Sequence, residues 1–444
     1  MSICGNCGIS AAPVALQTFE DLKKYCRPVL PFDSFDREWQ TWTEFGKYLA
    51  AVEKRHPVFQ SRALVGHGTL RIAVMGMADR TPQAYELQKM KDLLEQSLQQ
   101  GALGLSSGLI YVPGVYSKTE ELVELCKIVA KYDGIYSTHI RSESGGIVEA
   151  VKEAIFIARE SGCRLIISHL KVSGLQNEKF TDEIIGLITD ARKNGVKVLC
   201  DQYQSNKGST TLAQLISPEF QADGIKGLLA HLKNPHSRQK IIECLKNDVS
   251  YENYLHNLGP EQIIIVANQA FETFDGKNLK EIAEAMNLSA EETVCRLLEK
   301  NDGNVLMAVT MCRQQVVDKI FKLPFVAIGS DGIGAGSGIK THPRAYGNFA
   351  HLFQDYVRNR HLVSWQEAVR KCTSLPCSFI GIKNKGLIQQ NYDADLVIMD
   401  RQTVGTQANF ENPFLPPQGI EKVFIKGYEV VDCGQIKAAT EQNP

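Results

Sequence analysis

Apolar residues recur along the chain in two alternating patterns. Three segments carry hydrophobic residues at helical spacing and are each followed closely by a glycine: 119–132, 147–159 and 183–192. Short, mostly apolar runs with the length of a strand come between or after them: 135–139, 165–169 and 196–200. Repeated units of this kind, joined by right-handed crossovers, predict a parallel sheet, either an open doubly wound sheet or a closed barrel.

Polar side chains end several of the strand-like runs. His139 and His169 do so 30 residues apart, and Asp201 follows 32 residues later. Each interval has the length of one strand, loop and helix. A further apolar run ends at Asp331. Because the loops after parallel strands face one crevice, we expect the two histidines and Asp331 to share a site, and this pattern predicts a metal-dependent hydrolase.

Composition limits the fold and the class of partner. With 444 residues and 43% hydrophobic content, the chain can bury a large core, and we expect one large α/β domain with additions. It has 49 basic and 50 acidic side chains, a net charge of -1, and no long run of one sign. This balance gives no electrostatic basis for binding nucleic acid or an anionic membrane, so the expected partner is a small molecule.

The absence of targeting signals in the sequence and the scattered cysteines predict where the protein is located. No apolar stretch reaches the roughly 18 to 20 residues of a membrane-spanning helix, and the N-terminus has no basic region followed by an apolar signal core. The 12 cysteines are scattered, unlike those of a small disulfide-rich secreted protein. We therefore expect a soluble cytoplasmic protein.

The chain divides into three parts by the character of its segments. Residues 1–385 carry the strand and helix alternation and are expected to form the main domain. Within them, residues 205–305 are richer in polar helices, and we predict that they form a lid-like insertion. From 386 to 444 the chain turns to short β segments with a hairpin-like turn at 426–429, which predicts a small separate β unit.

Two histidines supply part of a metal site. Neutral imidazole and thiolate are good zinc ligands, and a catalytic zinc commonly has three protein ligands and an open position. A lone histidine at a strand end is more often a satisfied core or loop residue, but two at one repeat, with an aspartate after a later strand, favour a functional site. The spacing leaves the third ligand open, with Cys7 one candidate among other polar groups.

Two other sequence patterns are only weak evidence for a function. Cys4 and Cys7 form a Cys-x-x-Cys pair that could be a redox dithiol or half of a structural zinc site, but a redox pair normally opens a helix after a strand. The glycine-rich segment 332–338 lacks the Gly-Lys-Ser/Thr ending of a phosphate loop. We interpret it as a flexible loop beside Asp331.

Several longer segments occur in an order typical of one family. They are Gly5-Asn6-Cys7-Gly8, Gly66-His67-Gly68-Thr69-Leu70-Arg71, residues 108–116, Thr138-His139-Ile140-Arg141, Ser168-His169-Leu170-Lys171, Ser330-Asp331-Gly332 and residues 342–347. From its first residues to Gly427, the chain resembles the N-acyl-D-amino-acid deacylases, or D-aminoacylases, of the amidohydrolase superfamily. The resemblance implies a metal-dependent hydrolase with a (β/α)8 TIM-like barrel and a small β-sandwich.

The resemblance also assigns roles to individual residues. It implies that Cys7, His139 and His169 bind one tightly held zinc and that Asp331 is the general base. It places substrate contacts at four positions: Lys171, Tyr203, Ser209 and Arg344. Arg344 and Lys171 suit the carboxylate of the amino acid. The implied reaction is zinc-dependent hydrolysis of an N-acyl-D-amino acid to a carboxylate and a free D-amino acid.

The chain departs from the family in two places. The family carries a His-x-His pair on its first barrel strand, and this sequence contains none. We therefore expect an incomplete barrel without its first strand, a partial β-sandwich, and loss of the second, weaker metal position. Where the family has Tyr-Pro-Tyr, the chain has Tyr203-Gln204-Ser205, and Lys207 replaces a small apolar residue. These changes predict a different side-chain pocket.

Other functions stay open at this point. An amidohydrolase acting on cyclic amides is one, although such enzymes usually bridge two metals with a carboxylated lysine, and the Cys7 segment argues against it. A non-catalytic amidohydrolase-like binding or scaffold protein, or a truncated inactive fragment, is the other. Replacing Asp331 by alanine separates them, because a scaffold keeps its partner binding.

Overall fold

The structure is a computed structural model that describes residues 1–27, 29–30, 36–55, 60–333 and 340–437. Within these ranges the strands, numbered β1 to β15 in chain order, are Ser2–Cys4, Ser61–Ala63, Val65–Gly66, Gly104–Gly108, Ile135–His139, Arg164–Ile167, Val198–Gln202, Lys207–Thr211, Ile263–Ala267, Leu306–Thr310, Val326–Ile328, Leu396–Met399, Ile420–Ile425, Tyr428–Asp432 and Gln435–Ile436.

The α-helices of the same ranges are numbered α1 to α17. They are Phe19–Cys26, Asp36–Trp39, Phe45–Arg55, His67–Met75, Ala84–Gln99, Thr119–Lys131, Ile147–Ser161, Thr181–Lys193, Gly224–Lys233, Pro235–Asn247, Tyr254–Leu258, Leu279–Met286, Ala290–Lys300, Gln314–Phe321, Arg344–His351, Trp365–Cys372 and Ser374–Phe379. A π-helix, Leu352–Asn359, continues α15. No helix in the described part of the chain combines the length and the apolarity needed to cross a membrane.

A parallel sheet positions the candidate site. Its strand order is β11, β7, β6, β5, β4 and β3, and every neighbouring pair is parallel. Helices follow β4, β5 and β6 in sequence, which is the arrangement that buries both faces of a parallel sheet. The predicted α/β class with a parallel sheet is therefore confirmed. Closure into an eight-stranded barrel and the absence of its first strand stay predictions.

The three segments predicted as helices are helical in the structure. Their apolar residues recur at helical spacing, and a glycine follows each segment. In α7 the buried residues recur every three or four positions, from Ile147 to Ala158, so one stripe of the helix packs onto the core. Gly162 ends the helix with a left-handed φ of 76°, a conformation that glycine adopts without steric cost. The other two predicted segments became α6 and α8.

Residues of the predicted insertion form a second hydrophobic core. An antiparallel sheet of order β8, β10 and β9 packs with helices α9 to α13 around side chains such as Leu228, Ile265 and Leu298. The predicted domain limits at 205 and 305 stay a prediction, as does a lid-like role.

The C-terminal segment contains a four-stranded antiparallel sheet of order β12, β13, β14 and β15. The turn predicted at 426–429 joins β13 to β14 through Lys426 and Gly427, whose φ angles of 51° and 85° suit a tight hairpin. In the glycine-rich segment 332–338, residues 334–338 lie outside the described residues.

Candidate metal centre

Three side chains that the sequence predicts as metal ligands converge in the structure. Cys7 lies in the loop after β1, His139 is the last residue of β5, and His169 lies two residues after β6. One ligand atom from each lies within 4.8 Å of the others. The Cys7 Sγ and the His169 Nε2 are 3.5 Å apart. Cys7 and His169 have positive φ angles of 53° and 38°, so both turns bend sharply toward the shared space.

The protonation of these groups fits a soft divalent cation. Burial lowers the pKa of His139 well below its usual value, so its imidazole is neutral. Neither of its buried ring nitrogens has a hydrogen-bond partner among the described residues. Burial raises the pKa of the Cys7 thiol, and the nearby carboxylates of Asp331, Asp201 and Glu143 raise it further. A thiolate at this position therefore needs a neighbouring cation, and one sulfur with two imidazole nitrogens suits zinc.

A buried carboxylate that sequence reasoning missed lies beside the histidines. The Glu143 Oε1 is 3.0 Å from the His169 Nδ1 and 2.9 Å from the Lys171 Nζ. Burial opposes ionisation of Glu143, but the charge of Lys171 and the hydrogen bond to His169 lower its pKa below the usual range. Burial likewise opposes the charge of Lys171, and the Glu143 carboxylate raises the pKa of that ammonium above the usual range. The two side chains therefore form a buried ion pair.

A second buried carboxylate, Glu252, holds the loop that carries Glu143. Glu252 comes from the segment between α10 and α11 and is 5% exposed. Its Oε1 accepts hydrogen bonds from the Ser142 hydroxyl at 2.5 Å, from the Glu143 N–H at 2.9 Å and from the Ser144 N–H at 3.2 Å. Its Oε2 accepts from the Ser144 hydroxyl at 2.5 Å. Burial raises the pKa of Glu252.

The predicted general base lies against an arginine. Asp331 has a φ of 47° and comes three residues after β11. The Arg344 NH2 is 2.5 Å from the Asp331 Oδ2, and the Arg344 Nε donates to the Asp331 carbonyl at 2.9 Å. The Arg344 guanidinium also stacks 4.0 Å above the centre of the Tyr203 ring. Its buried NH1 has no hydrogen-bond partner among the described residues.

Seven of the eight predicted site residues line one cavity of about 1960 Å³. They are Cys7, His139, His169, Lys171, Tyr203, Ser209 and Asp331. The Ser209 hydroxyl donates to the Met307 carbonyl at 3.0 Å, which fixes its place on β8. The eighth residue, Arg344, does not line the cavity; its guanidinium lies against the Asp331 carboxylate and the Tyr203 ring.

Two further residues near the ligands were not predicted to act in the site. The Tyr111 ring lies edge-on to His139, 5.1 Å between ring centres, and its hydroxyl accepts from the Thr210 hydroxyl at 3.3 Å. The Asp201 Oδ1 accepts from the His169 N–H at 2.8 Å and so holds the sharp turn at that ligand. The sequence marked Asp201 only as the end of a strand-like run.

Comparisons with known proteins agree with this geometry. The family described as the Amidohydrolase family matches residues 222–430. D-aminoacylase of Alcaligenes xylosoxydans xylosoxydans is 31% identical over 96% of this chain and 77% of its own length. N-acyl-D-aspartate deacylase of the same organism is 28% identical over 97% of this chain and 75% of its own. A solved structure of N-acyl-D-glutamate deacylase from Bordetella bronchiseptica, complexed with zinc and a phosphonate inhibitor, superposes with a TM-score of 0.78. It is 28% identical and covers 97% of this chain and 79% of that one.

Proposed function

This chain belongs to the D-aminoacylase family of the amidohydrolases, and we propose on that basis that it is a zinc-dependent hydrolase of N-acyl-D-amino acids. The products are a carboxylate and a free D-amino acid. The observation that carries the proposal is the convergence of Cys7, His139 and His169 in the same cavity as Asp331. The partner is therefore a small molecule.

Three side chains hold the metal in this proposal. Cys7 supplies a thiolate and the two histidines supply neutral imidazoles, a donor set that selects zinc over harder cations. A bound zinc lowers the pKa of a water molecule and polarises the amide carbonyl of the substrate. The cluster contains one set of three ligands, so we propose a single tight site.

Asp331 moves the proton. Its carboxylate lines the cavity and its side chain is 26% exposed, so it can reach both a water molecule and a bound amide. It accepts the proton of the attacking water and returns it to the nitrogen of the leaving amine. The ion pair with Arg344 holds the carboxylate in place between the two transfers.

Cations around Tyr203 bind the carboxylate of the amino acid. The Lys171 Nζ lies 5.5 Å from the centre of the Tyr203 ring, and the Arg344 guanidinium lies 4.0 Å from it. Arg344 does not itself line the cavity, but it contacts Asp331 and Tyr203, which do, and its buried NH1 has no hydrogen-bond partner among the described residues. We propose that NH1 turns toward the substrate carboxylate when the substrate binds. Tyr203 and Ser209 line the same cavity. Charge-assisted hydrogen bonds of this kind fix both the position and the handedness of the bound amino acid.

The test is zinc content together with hydrolysis. Elemental analysis of the purified chain is expected to give about one zinc per molecule. In a panel of N-acetyl-D- and N-acetyl-L-amino acids, only the D-series is expected to be hydrolysed. Asp331→Asn is expected to keep the zinc and lose hydrolysis. A folded protein without zinc and without hydrolysis would overturn the proposal and favour a non-catalytic binding protein.

The cysteines support a cytoplasmic location. All twelve are free thiols, and six of them are buried. Free thiols in this number are typical of a reducing compartment. We propose that the protein acts in the cytoplasm.

A further inference from the structure

Two groups compete for one nitrogen of His169. The Glu143 Oε1 lies 3.0 Å from the His169 Nδ1, and the Lys171 Nζ lies 3.1 Å from the same atom. The first contact requires a proton on Nδ1, which leaves the lone pair on Nε2. The second requires the lone pair on Nδ1, which places the proton on Nε2. The two contacts therefore demand opposite tautomers of the ring.

Only one tautomer can serve a metal at this site. The His169 Nε2 is the ring nitrogen that faces Cys7, 3.5 Å from its Sγ. A proton on Nε2 would block the lone pair that a metal needs. The contact with Glu143 thus gives a binding form of the ring, and the contact with Lys171 gives a form that cannot bind.

The surroundings of Lys171 favour the binding form. Its ammonium has two other acceptors, the Glu143 Oε1 at 2.9 Å and the His169 carbonyl at 2.8 Å. Lys171 therefore does not need the lone pair of Nδ1 while Glu143 is in place. Its third N–H is then free to point into the cavity, where the substrate carboxylate binds in the proposed function. Without Glu143, the Nδ1 lone pair becomes the nearest replacement acceptor.

The loop of Glu143 is held from the other core of the molecule. Glu252 accepts four hydrogen bonds from residues 142–144, two of them from backbone N–H groups. The Glu143 carbonyl also accepts from the Ser173 N–H at 2.6 Å, which joins this loop to the one that follows His169. A backbone held at both ends leaves the Glu143 side chain little freedom to leave His169.

We propose that Glu143 is a positioning residue that fixes the metal-binding tautomer of His169 and directs the ammonium of Lys171 to the substrate, and that Glu252 holds Glu143 in place. This inference rests on the proposed function, because a metal at Cys7, His139 and His169 gives the tautomer its role. It predicts that the effects of Glu143 and Lys171 on zinc affinity depend on each other.

A double-mutant cycle measures that coupling. Zinc affinity is determined by competition with a chelator for the native chain, Glu143→Ala, Lys171→Met and the double variant. Glu143→Ala is expected to lose about 10- to 100-fold in affinity. Adding Lys171→Met is expected to restore most of it, because no donor then competes for Nδ1. The gain in zinc affinity that Lys171→Met gives in the Glu143→Ala background must exceed the gain that it gives in the native chain, because the latter measures only charge repulsion between the ammonium and the metal.

Matched variants separate the hydrogen bond from general damage. Glu143→Gln keeps an oxygen acceptor for Nδ1–H and is expected to bind zinc more tightly than Glu143→Ala. Glu292→Gln changes a carboxylate that pairs with Arg238, 2.6 Å away in the second core, and is expected to leave zinc affinity unchanged. Equal affinities in the native chain and Glu143→Ala would overturn the inference.

The tautomer can also be observed directly. In the metal-free full chain labelled with ¹⁵N-histidine, His169 is expected to carry its proton on Nδ1, and in Glu143→Ala on Nε2. The same tautomer in both would overturn the inference even if the native chain binds zinc and hydrolyses its substrate. A native chain that binds no zinc would instead contradict the proposed function, so the two failures are distinct.

Glu252 provides a second route if Glu143→Ala does not fold. Glu252→Ala removes the acceptor of the Glu143 N–H and leaves the Ser144 N–H with only the Ser142 hydroxyl, 3.2 Å away, and a loss of zinc affinity in the direction of Glu143→Ala is expected. Glu252→Gln keeps one oxygen for both N–H groups and is expected to stay within about threefold of the native affinity. If both variants bind zinc like the native chain, the loop is held without Glu252 and that part of the proposal is wrong.

Discussion

The candidate ligand Cys7 is positioned by backbone that only small residues can form. It stands in a loop where Gly5, Cys7 and Gly8 all have positive φ angles. A Cβ on Gly8 would lie 2.8 Å from the backbone nitrogen of Gly108, and one on Gly5 would lie 2.3 Å from the Leu64 carbonyl oxygen. The two glycines therefore permit the thiol to approach the ends of β5 and β6.

Gly8→Ala tests this steric argument. Its φ of 77° strains any L-residue, and the backbone contact with Gly108 must also shift. We expect a loss of about 1–3 kcal/mol in the free energy of unfolding and a fall in zinc affinity, since Cys7 moves with the loop. Denaturant unfolding and chelator competition measure the two effects.

Gly162→Ala is the matched control. Gly162 has nearly the same φ, 76°, but a Cβ there meets nothing within 4 Å. It is expected to cost stability through φ strain alone and to leave zinc affinity unchanged. Equal zinc affinities in both alanine variants would show that the close approach at Gly8 does not position Cys7.

Arg344 carries a prediction about substrate binding. Lysine keeps the charge beside Asp331 but loses the planar guanidinium that stacks on Tyr203 and offers NH1 to an anion. Arg344→Lys is expected to raise KM about 10- to 100-fold, the loss of roughly 1.5–3 kcal/mol of charged hydrogen bonding, with a smaller effect on kcat. Steady-state kinetics on an N-acetyl-D-amino acid gives both constants.

The control is another stacked arginine. Arg360 pairs with Asp318 and lies 5.2 Å from the centre of the Tyr356 ring, among residues that do not line the cavity. Arg360→Lys is expected to leave KM unchanged. A fall in kcat with unchanged KM for Arg344→Lys would contradict the assigned role and make Arg344 a partner of Asp331 in proton transfer.

At the level of elements, the sequence predicts helices better than strand ends. The periodicity of apolar residues located α6, α7 and α8 to within a few residues, because one buried stripe and a glycine ending decide them locally. The strand ends depend on pairing with distant partners. His139 does end β5, but His169 lies two residues beyond β6 and Asp331 lies three beyond β11. Those sharp turns are set by contacts such as the one from Asp201 to the His169 N–H.

The start of α5 illustrates a local stabilising device with a pH dependence. Glu86 accepts a hydrogen bond from the Gln83 N–H at 2.7 Å in a capping box and pairs through both oxygens with Arg80, at 2.7 Å each. The hydrogen bonds from Arg80 lower the pKa of Glu86 to about 2. The lowered pKa means that the ionised form stabilises the folded chain.

Glu86→Gln is expected to lose this stabilisation at neutral pH. The stabilisation of the folded chain by the ionised Glu86 is fully present above the ordinary pKa of a glutamate and is lost as the pH falls toward 2. We expect the variant to be about 1–2 kcal/mol less stable at pH 7, with a smaller difference at pH 4. Denaturant unfolding at both pH values measures it, with exposed Glu284→Gln as the control. A difference that is constant with pH would contradict the ion pair.

At the scale of the whole molecule, the candidate site joins parts that are distant in sequence. The cluster of three ligands could be predicted because each lies in a segment typical of the family. Glu143 stands only four residues after His139, yet nothing local distinguishes it from a surface glutamate. Glu252 lies 109 residues from Glu143, next to Tyr254 and Leu255 of the second core, so its role follows only from the packing of the two cores.

Zinc should therefore stabilise the chain as a whole. Its proposed ligands come from the loop after β1 and from the ends of β5 and β6, so a metal ties the N-terminal segment to the parallel sheet. A ligand that binds only the folded chain adds about 4 kcal/mol at a thousandfold excess over its Kd. We expect Tm to rise with free zinc in the native chain and to fall when a chelator removes the metal.

The two cysteines of the Cys-x-x-Cys pair separate this effect from non-specific zinc binding. Cys7→Ala removes a proposed ligand, and its Tm is expected to be independent of zinc below the concentrations at which surface sites fill. Cys4 lies outside the cluster, with its Sγ 3.6 Å from the Tyr48 hydroxyl. Cys4→Ala should therefore keep the full response to zinc. If Cys4 and Cys7 instead acted together, as half of a structural zinc site or as a redox dithiol, both cysteines would be needed. A response lost equally in both variants would contradict the assignment of Cys7 to the cluster with His139 and His169.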